Sequence, residues 1–196
     1  MSNTAPVREP LLNKADPLFP RIMGLHHAAY RCRNAEETRH FYEDILRLPL
    51  VAIVEHEHVP STGEYCPYFH LFFEMGDGSM LAFFDLYNGV ATQPDPATPA
   101  WVNHIALQVA DAQSLLDAKA RLEAAGVEVL GPTNHEAIRS IYFFDPNGIR
   151  VELTCFTIDR ERLLARAARA RATMASYPEL ASRVQQQRQR MDGGHS

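Results

Sequence analysis

One order of elements occurs twice in this 196-residue chain, and that repetition limits the folds open to it. Residues 25–32 read as a strand. Asn34 then offers an N-cap, Glu37 three positions on completes a capping box, and Phe41, Tyr42, Ile45 and Leu46 form an apolar helical stripe. Strand-like runs follow at 50–54, 68–74 and 79–87, the last after a turn at Gly76-Asp77-Gly78. Beyond Pro94, Pro96 and Pro99 the order restarts. Residues 103–109 read as a strand, and Asp111 caps a helix with Leu115, Ala118, Leu122 and Ala125 on one face, closed by Gly126. Runs at 127–130, 140–144 and 149–155 read as three more strands, the last two joined by Asp145-Pro146-Asn147-Gly148. This repetition predicts an α+β fold of two tandem βαβββ modules. Their two half-open sheets are expected to close around a cavity as a half-open barrel.

The expected divisions are an N-terminal arm (1–21), module 1 (22–91), a Pro-rich linker (92–100), module 2 (101–158) and a helical, basic tail (159–196). Pro6, Pro10, Pro17 and Pro20 exclude a long helix from the arm, and Pro178 interrupts the second segment of the tail. With 46% hydrophobic residues a real core can be buried, and no apolar run approaches the ~18 residues of a membrane span. The N-terminus lacks the basic-then-apolar pattern of a secretory signal. Cys32, Cys66 and Cys155 are odd in number and form no CxxC pair, which suggests neither a disulfide framework nor a zinc knot and fits a reducing cytoplasm. The net charge of −5 divides unevenly: from residue 159 eight arginines face four acids, leaving the first 158 residues at −9. An acidic body argues against a nucleic-acid surface, and the tail reads as a helix packed on its own body or on a second copy.

Strand side chains alternate between faces, so the polar residues can be sorted. Ile105, Leu107 and Val109 share one face, while His104, Ala106 and Gln108 share the other. Likewise Ala28, Tyr30 and Cys32 oppose His27, Ala29 and Arg31, and Val151 and Leu153 oppose Arg150, Glu152 and Thr154. Three equivalent faces therefore present His27, His104 and Glu152. Two histidines and one carboxylate converging in a cavity would make the set that holds non-haem Fe(II) with open positions. The two histidines occupy the same place in both repeats, four residues past Met23 and Ala100, which outer-face polarity alone does not predict. Phe69, Phe72, Phe83 and Phe84 offer aromatic surface, part for a pocket and part for the core.

The stretches GLHHAAYRC with HFYEDILRL downstream, WVNHIALQVAD and IYFFDPNGIRVELT resemble the vicinal oxygen chelate superfamily, which includes glyoxalase I, methylmalonyl-CoA epimerase, the bleomycin and fosfomycin resistance proteins and type I extradiol dioxygenases. The resemblance covers residues 22 to about 156. It implies that His27, His104 and Glu152 are metal ligands and that His26, of the wrong parity, packs elsewhere. It also marks Asp85 in LAFFDLYN as a fourth ligand, a base beside the metal or a solvated strand residue. Thr133-Asn134-His135, Ile141-Tyr142 and the Asp145-to-Glu152 stretch resemble the extradiol dioxygenase signature. By that resemblance Tyr142 hydrogen-bonds a catechol oxygen and His135 supports bound substrate or oxygen. Where those dioxygenases carry a further acid-base histidine this chain has Ser79, and His70 on the preceding strand is the substitute to consider.

The function expected from the resemblance is that of an Fe(II) extradiol-type dioxygenase acting on a catecholic substrate with O2, working as a homodimer in the cytoplasm and serving aromatic catabolism. Mn, Ni, Co or Zn are the other divalent metals to consider. The alternative is a redox-neutral lyase or isomerase that stabilises an enediolate, with Asp85 taking part. A metal-free binding protein for a small molecule is the third reading. Neither nucleic acid nor membrane is an expected partner.

Overall fold

A computed structural model describes residues 22–192, so the expected N-terminal arm lies outside the described residues. The described chain divides into two compact units, residues 22–157 and 158–192.

The first unit holds eight strands in two separate four-stranded sheets, with no closed barrel. One sheet contains β1 (His27–Cys32), β2 (Leu50–His58), β3 (Tyr65–Glu74) and β4 (Met80–Asp85) in the order β1-β4-β3-β2. The other contains β5 (Ile105–Gln108), β6 (Leu130–Asn134), β7 (Ile138–Phe144) and β8 (Arg150–Phe156) in the order β5-β8-β7-β6. In each, the first strand runs parallel to the fourth and the remaining pairs are antiparallel. The duplication expected from the sequence is therefore realised strand for strand. The strand expected at 127–130 instead begins at Leu130 and runs through a cis Gly131–Pro132 bond.

The first helix, α1 (Ala35–Arg39), opens where Asn34 Oδ1 accepts the Glu37 N–H at 2.9 Å. The Glu37 carboxylate does not return to Asn34; it pairs with Arg33 at 2.7 Å. α1 widens into a π-helical turn over His40–Ile45, which buries the adjacent rings of Phe41 and Tyr42. The second helix, α2 (Ala112–Ala124), is capped by Asp111, whose side chain accepts the Ser114 N–H at 2.8 Å, and it ends before Gly126 at φ 80°. It buries Leu115, Ala118 and Leu122.

The helix-facing residues of both sheets make one core. Cys32, Leu71, Phe73, Leu81 and Phe83 meet Phe41 and Tyr42, and Leu107, Ile141, Phe143, Val151 and Leu153 meet α2. Modules 1 and 2 are joined by the Asp145-Pro146-Asn147-Gly148 turn. Tyr42 Oη donates to Asp145 Oδ2 at 3.0 Å, Asn147 Oδ1 accepts the Arg33 N–H at 3.0 Å, and Asn147 Nδ2 donates to Thr38 Oγ1 at 3.2 Å. Asp145 also accepts backbone N–H groups from Asn147 and Ile149. Burial pushes its carboxyl above the usual range despite these donors.

The second unit contains α3 (Arg160–Ala175) and α4 (Tyr177–Asp192). Asp159 caps α3 through the Arg162 N–H, and Pro178 sits in the first turn of α4, where its missing N–H costs no helical bond. No described helix is long and apolar enough to cross a membrane.

Candidate metal-binding site

The faces away from the helices carry the expected polar residues. In module 2, His104 stands immediately before β5 and Glu152 lies on the central strand β8. Their side chains meet, with His104 Nε2 3.0 Å from Glu152 Oε2. His104 Nδ1 is 3.0 Å from the Val102 carbonyl oxygen. A carbonyl can only accept, so Nδ1 carries the hydrogen and Nε2 is the atom left for a cation or a proton. The Glu152 side chain is 5% exposed, and its Oε1 is buried with no hydrogen-bond partner. Two acceptors converging beside an orphaned carboxylate oxygen suit a shared cation, with the imidazole already fixed through its other nitrogen.

Tyr142 lies directly across from Glu152 in the β7–β8 ladder, and its ring meets the His104 ring edge-on at 6.2 Å. His135, in the turn after β6, comes back to it, with Nε2 2.7 Å from Tyr142 Oη. Burial raises the Tyr142 phenol above its ordinary range, and the Glu152 charge adds to this. The structure thus brings His104, Glu152, Tyr142 and His135 together on one face.

His27 belongs to a different group. Its ring packs edge-on against Phe72 at 5.5 Å and His70 at 6.3 Å, and its Nδ1 lies 2.7 Å from that of His26. His26, expected to pack elsewhere, is exposed beside it. His70 stacks on Phe84 at 3.5 Å, and burial, reinforced by His27, pushes its pKa down to about 4. It is therefore neutral near pH 7, with a buried, unpartnered Nε2. Phe72 and Phe84 contribute to this face, whereas Phe83 is fully buried in the core and Phe69 packs against it. Among the described residues no group of three or more His, Cys, Asp and Glu side chains is arranged to hold a metal. One chain assembles two of the three expected ligands and leaves the third apart.

The structure does not bring Asp85 to either site face. It shares the helix-facing side of β4 with Leu81 and Phe83, is buried, and spends both oxygens on backbone donors: Oδ2 on Ala35 N at 2.9 Å and Oδ1 on Tyr87 N at 2.8 Å. It anchors the start of α1. The ladder register identifies the true counterpart of Glu152. Ala106, two residues past His104, pairs with Glu152, and Ala29, two residues past His27, pairs with Ala82. Module 1 thus has alanine where module 2 has its carboxylate. Counting from the turns would have found this, since Glu152 is four residues past Gly148 and Ala82 four past Gly78. Ser79 is buried in the β3–β4 turn, where its hydroxyl donates to Asp77 at 2.6 Å.

Residues 24–153 match the family model described as the Glyoxalase/Bleomycin resistance protein/Dioxygenase superfamily. No curated protein matches the chain in sequence. Among solved structures, an integron cassette protein from the mobile metagenome of the Halifax Harbour sewage outfall is 26% identical. The match covers 69% of this chain and 100% of that one, with a TM-score of 0.50. A glyoxalase/dioxygenase from Nostoc punctiforme is 22% identical over 75% of this chain and 99% of its own (TM-score 0.53). A fosfomycin resistance protein from Listeria monocytogenes, crystallised with Mn(II) and sulfate, is 22% identical over 72% and 98% (TM-score 0.52).

Proposed function

The chain belongs to the Glyoxalase/Bleomycin resistance protein/Dioxygenase superfamily, and on that premise we propose that it is a divalent-metal enzyme of the extradiol dioxygenase type, cytoplasmic and active as a homodimer. His104 and Glu152 hold the ion, Fe(II) in the working enzyme, and His27 of a second copy completes the set. The observation that carries the reading is the His135–Tyr142 pair at 2.7 Å directly beside His104 and Glu152.

An incomplete site supports the pairing of subunits. His104 and Glu152 are two ligands in search of a third, while His27 lies on an exposed face without a carboxylate. A closed dimer that lays the module 1 face of one copy on the module 2 face of the other satisfies both.

Held by His104 and Glu152, a divalent ion would supply Lewis acidity toward a catechol and a path for one-electron chemistry with O2. The protein does the rest. The Tyr142 hydroxyl hydrogen-bonds a ring oxygen, and its raised pKa keeps it protonated before substrate arrives. His135 Nε2 stands 2.7 Å from that hydroxyl and exchanges a proton with it when the substrate oxygen needs one. Phe72 and Phe84 of the second copy, on the same face as its His27, supply apolar surface for a planar ring and exclude water. In the overall reaction the ring bond adjacent to the diol breaks and both atoms of O2 enter the product. Enediolate chemistry as in the lyases and isomerases would call for a second carboxylate as base. Ala82 occupies the counterpart position, and both oxygens of Asp85 are already engaged at α1.

The test is anaerobic purification, addition of Fe(II), and oxygen uptake with yellow product across a catechol panel. Oxygen consumption with at least one catechol is expected. No uptake with any, alongside turnover of a hemithioacetal or an acyl-CoA epimer, contradicts it, as does saturable small-molecule binding without metal.

A further inference from the structure

Arg150 stands two residues before Glu152 on β8 and so on the same face of the sheet. Its guanidinium carbon lies 4.5 Å from the centroid of the Tyr142 ring, a cation–π stack that holds the planar fork in place. Its Nε is buried and has no hydrogen-bond partner. Among the described residues no carboxylate lies within ion-pair distance of it. Arg150 and His104 together line a cavity of about 600 Å³, whose walls include Tyr30, Asp95 and Ile149. The acid in that wall is already engaged: Asp95 accepts from Thr98 Oγ1 at 2.7 Å and from Ala97 N at 2.9 Å.

A guanidinium cannot escape burial by losing its proton, and a carboxylate matches its fork in a planar, two-pronged contact. A fixed, unneutralised arginine on the wall of a cavity that also contains a proposed ligand is built to receive an anion. With the catechol oxygens at His104, the one proposed ligand in the cavity wall, the anion belongs at Arg150, on another side of the same ring.

We infer that Arg150 is a specificity-determining residue that reads an ionised carboxylate on the substrate, which makes the substrate a ring-hydroxylated aromatic acid instead of a neutral catechol. This rests on the proposed site at His104 and Glu152 and adds a second anchor to it. Arg150 also offsets the repulsion that Glu152 would exert on an anionic substrate.

Calorimetric titration of the Mn(II)-loaded full chain under anaerobic conditions tests this without turnover, using catechol, 3,4-dihydroxybenzoate and the methyl ester of that acid. The acid is expected to bind about tenfold or more tightly than catechol, and the ester no better than catechol. In Arg150→Met, which keeps length over the Tyr142 ring, the ratio of acid to catechol affinity falls to about one; Arg150→Lys retains part of the preference. The ester comparison needs only the wild-type protein and stands if a variant fails to fold. Equal binding of acid and catechol by the wild type, or a preference surviving in Arg150→Met, overturns the inference and leaves the site reading intact. Binding of none of the three overturns the site reading and the inference with it.

Discussion

Laid register on register, the two modules agree in strand order and in the histidine that opens each sheet, and they part at the residues across from it. Module 2 places Glu152 opposite Ala106 and Tyr142 opposite Glu152; module 1 has Ala82 and Phe72 at those places. The turns differ as well. Asp145-Pro146-Asn147-Gly148 buries a carboxylate against Tyr42 and ties α1 to module 2, while its counterpart, Met75-Gly76-Asp77-Gly78, satisfies Asp77 locally through Ser79. The two modules share a backbone and differ in what they carry. Module 2 holds the acidic half of the proposed site and the latch, and module 1 offers a single histidine on an aromatic face.

The largest effect should come from the latch. Asp145→Ala strands the buried Tyr42 hydroxyl and the Asn147 and Ile149 N–H groups, and should lower unfolding stability by about 3 kcal/mol in urea titrations. Asp77→Ala, in the corresponding turn of module 1, should cost about 0.5 kcal/mol. Equal losses would remove the asymmetry.

Next comes metal affinity. Glu152→Ala should weaken Mn(II) binding by about 100-fold, whereas Asp85→Asn should leave binding unchanged and cost only stability at the start of α1. Reversal of the two would restore Asp85 to the site. Tyr142→Phe should lower turnover about tenfold or more with metal content unchanged, since it removes a hydroxyl from the reacting end of the substrate and nothing from the ligands.

A further effect is one of pH. Because the folded pKa of His70, about 4, lies below its unfolded value of 6.5, the stability linked to its neutral form is complete above pH 6.5. It is lost as pH falls from 6.5 towards 4, an effect of about 2 kcal/mol after allowance for partial hydration. His70→Phe should flatten that part of the pH–stability curve. Module 1 without this slope would mean that His70 is not held neutral in the fold.

Much of this division is legible in the sequence. Alternation in 103–109 and 149–155 sorts Leu107, Val151 and Leu153 from His104 and Glu152, because a sheet packed on helices leaves few options for apolar side chains. The same rule, applied to Leu81 and Phe83, would have put Asp85 on the helix side; its acidity drew attention that its parity did not support. Neither the latch between Tyr42 and Asp145 nor the separation of His27 from His104 follows from local pattern. Both depend on how one module is set against the other, and short-range periodicity carries no record of that.

A site shared between two copies can be rebuilt by mixing two disabled variants. His27→Ala and Glu152→Ala, each unable to hold metal in a competent site, are unfolded together, refolded and assayed for Mn(II) content. If each site takes His27 from one chain and His104 and Glu152 from the other, the mixed dimers regain one intact site each, and about a quarter of the wild-type metal returns. No recovery in a mixture shown to contain mixed dimers would mean that each chain completes its own site, and the shared-site account would be wrong.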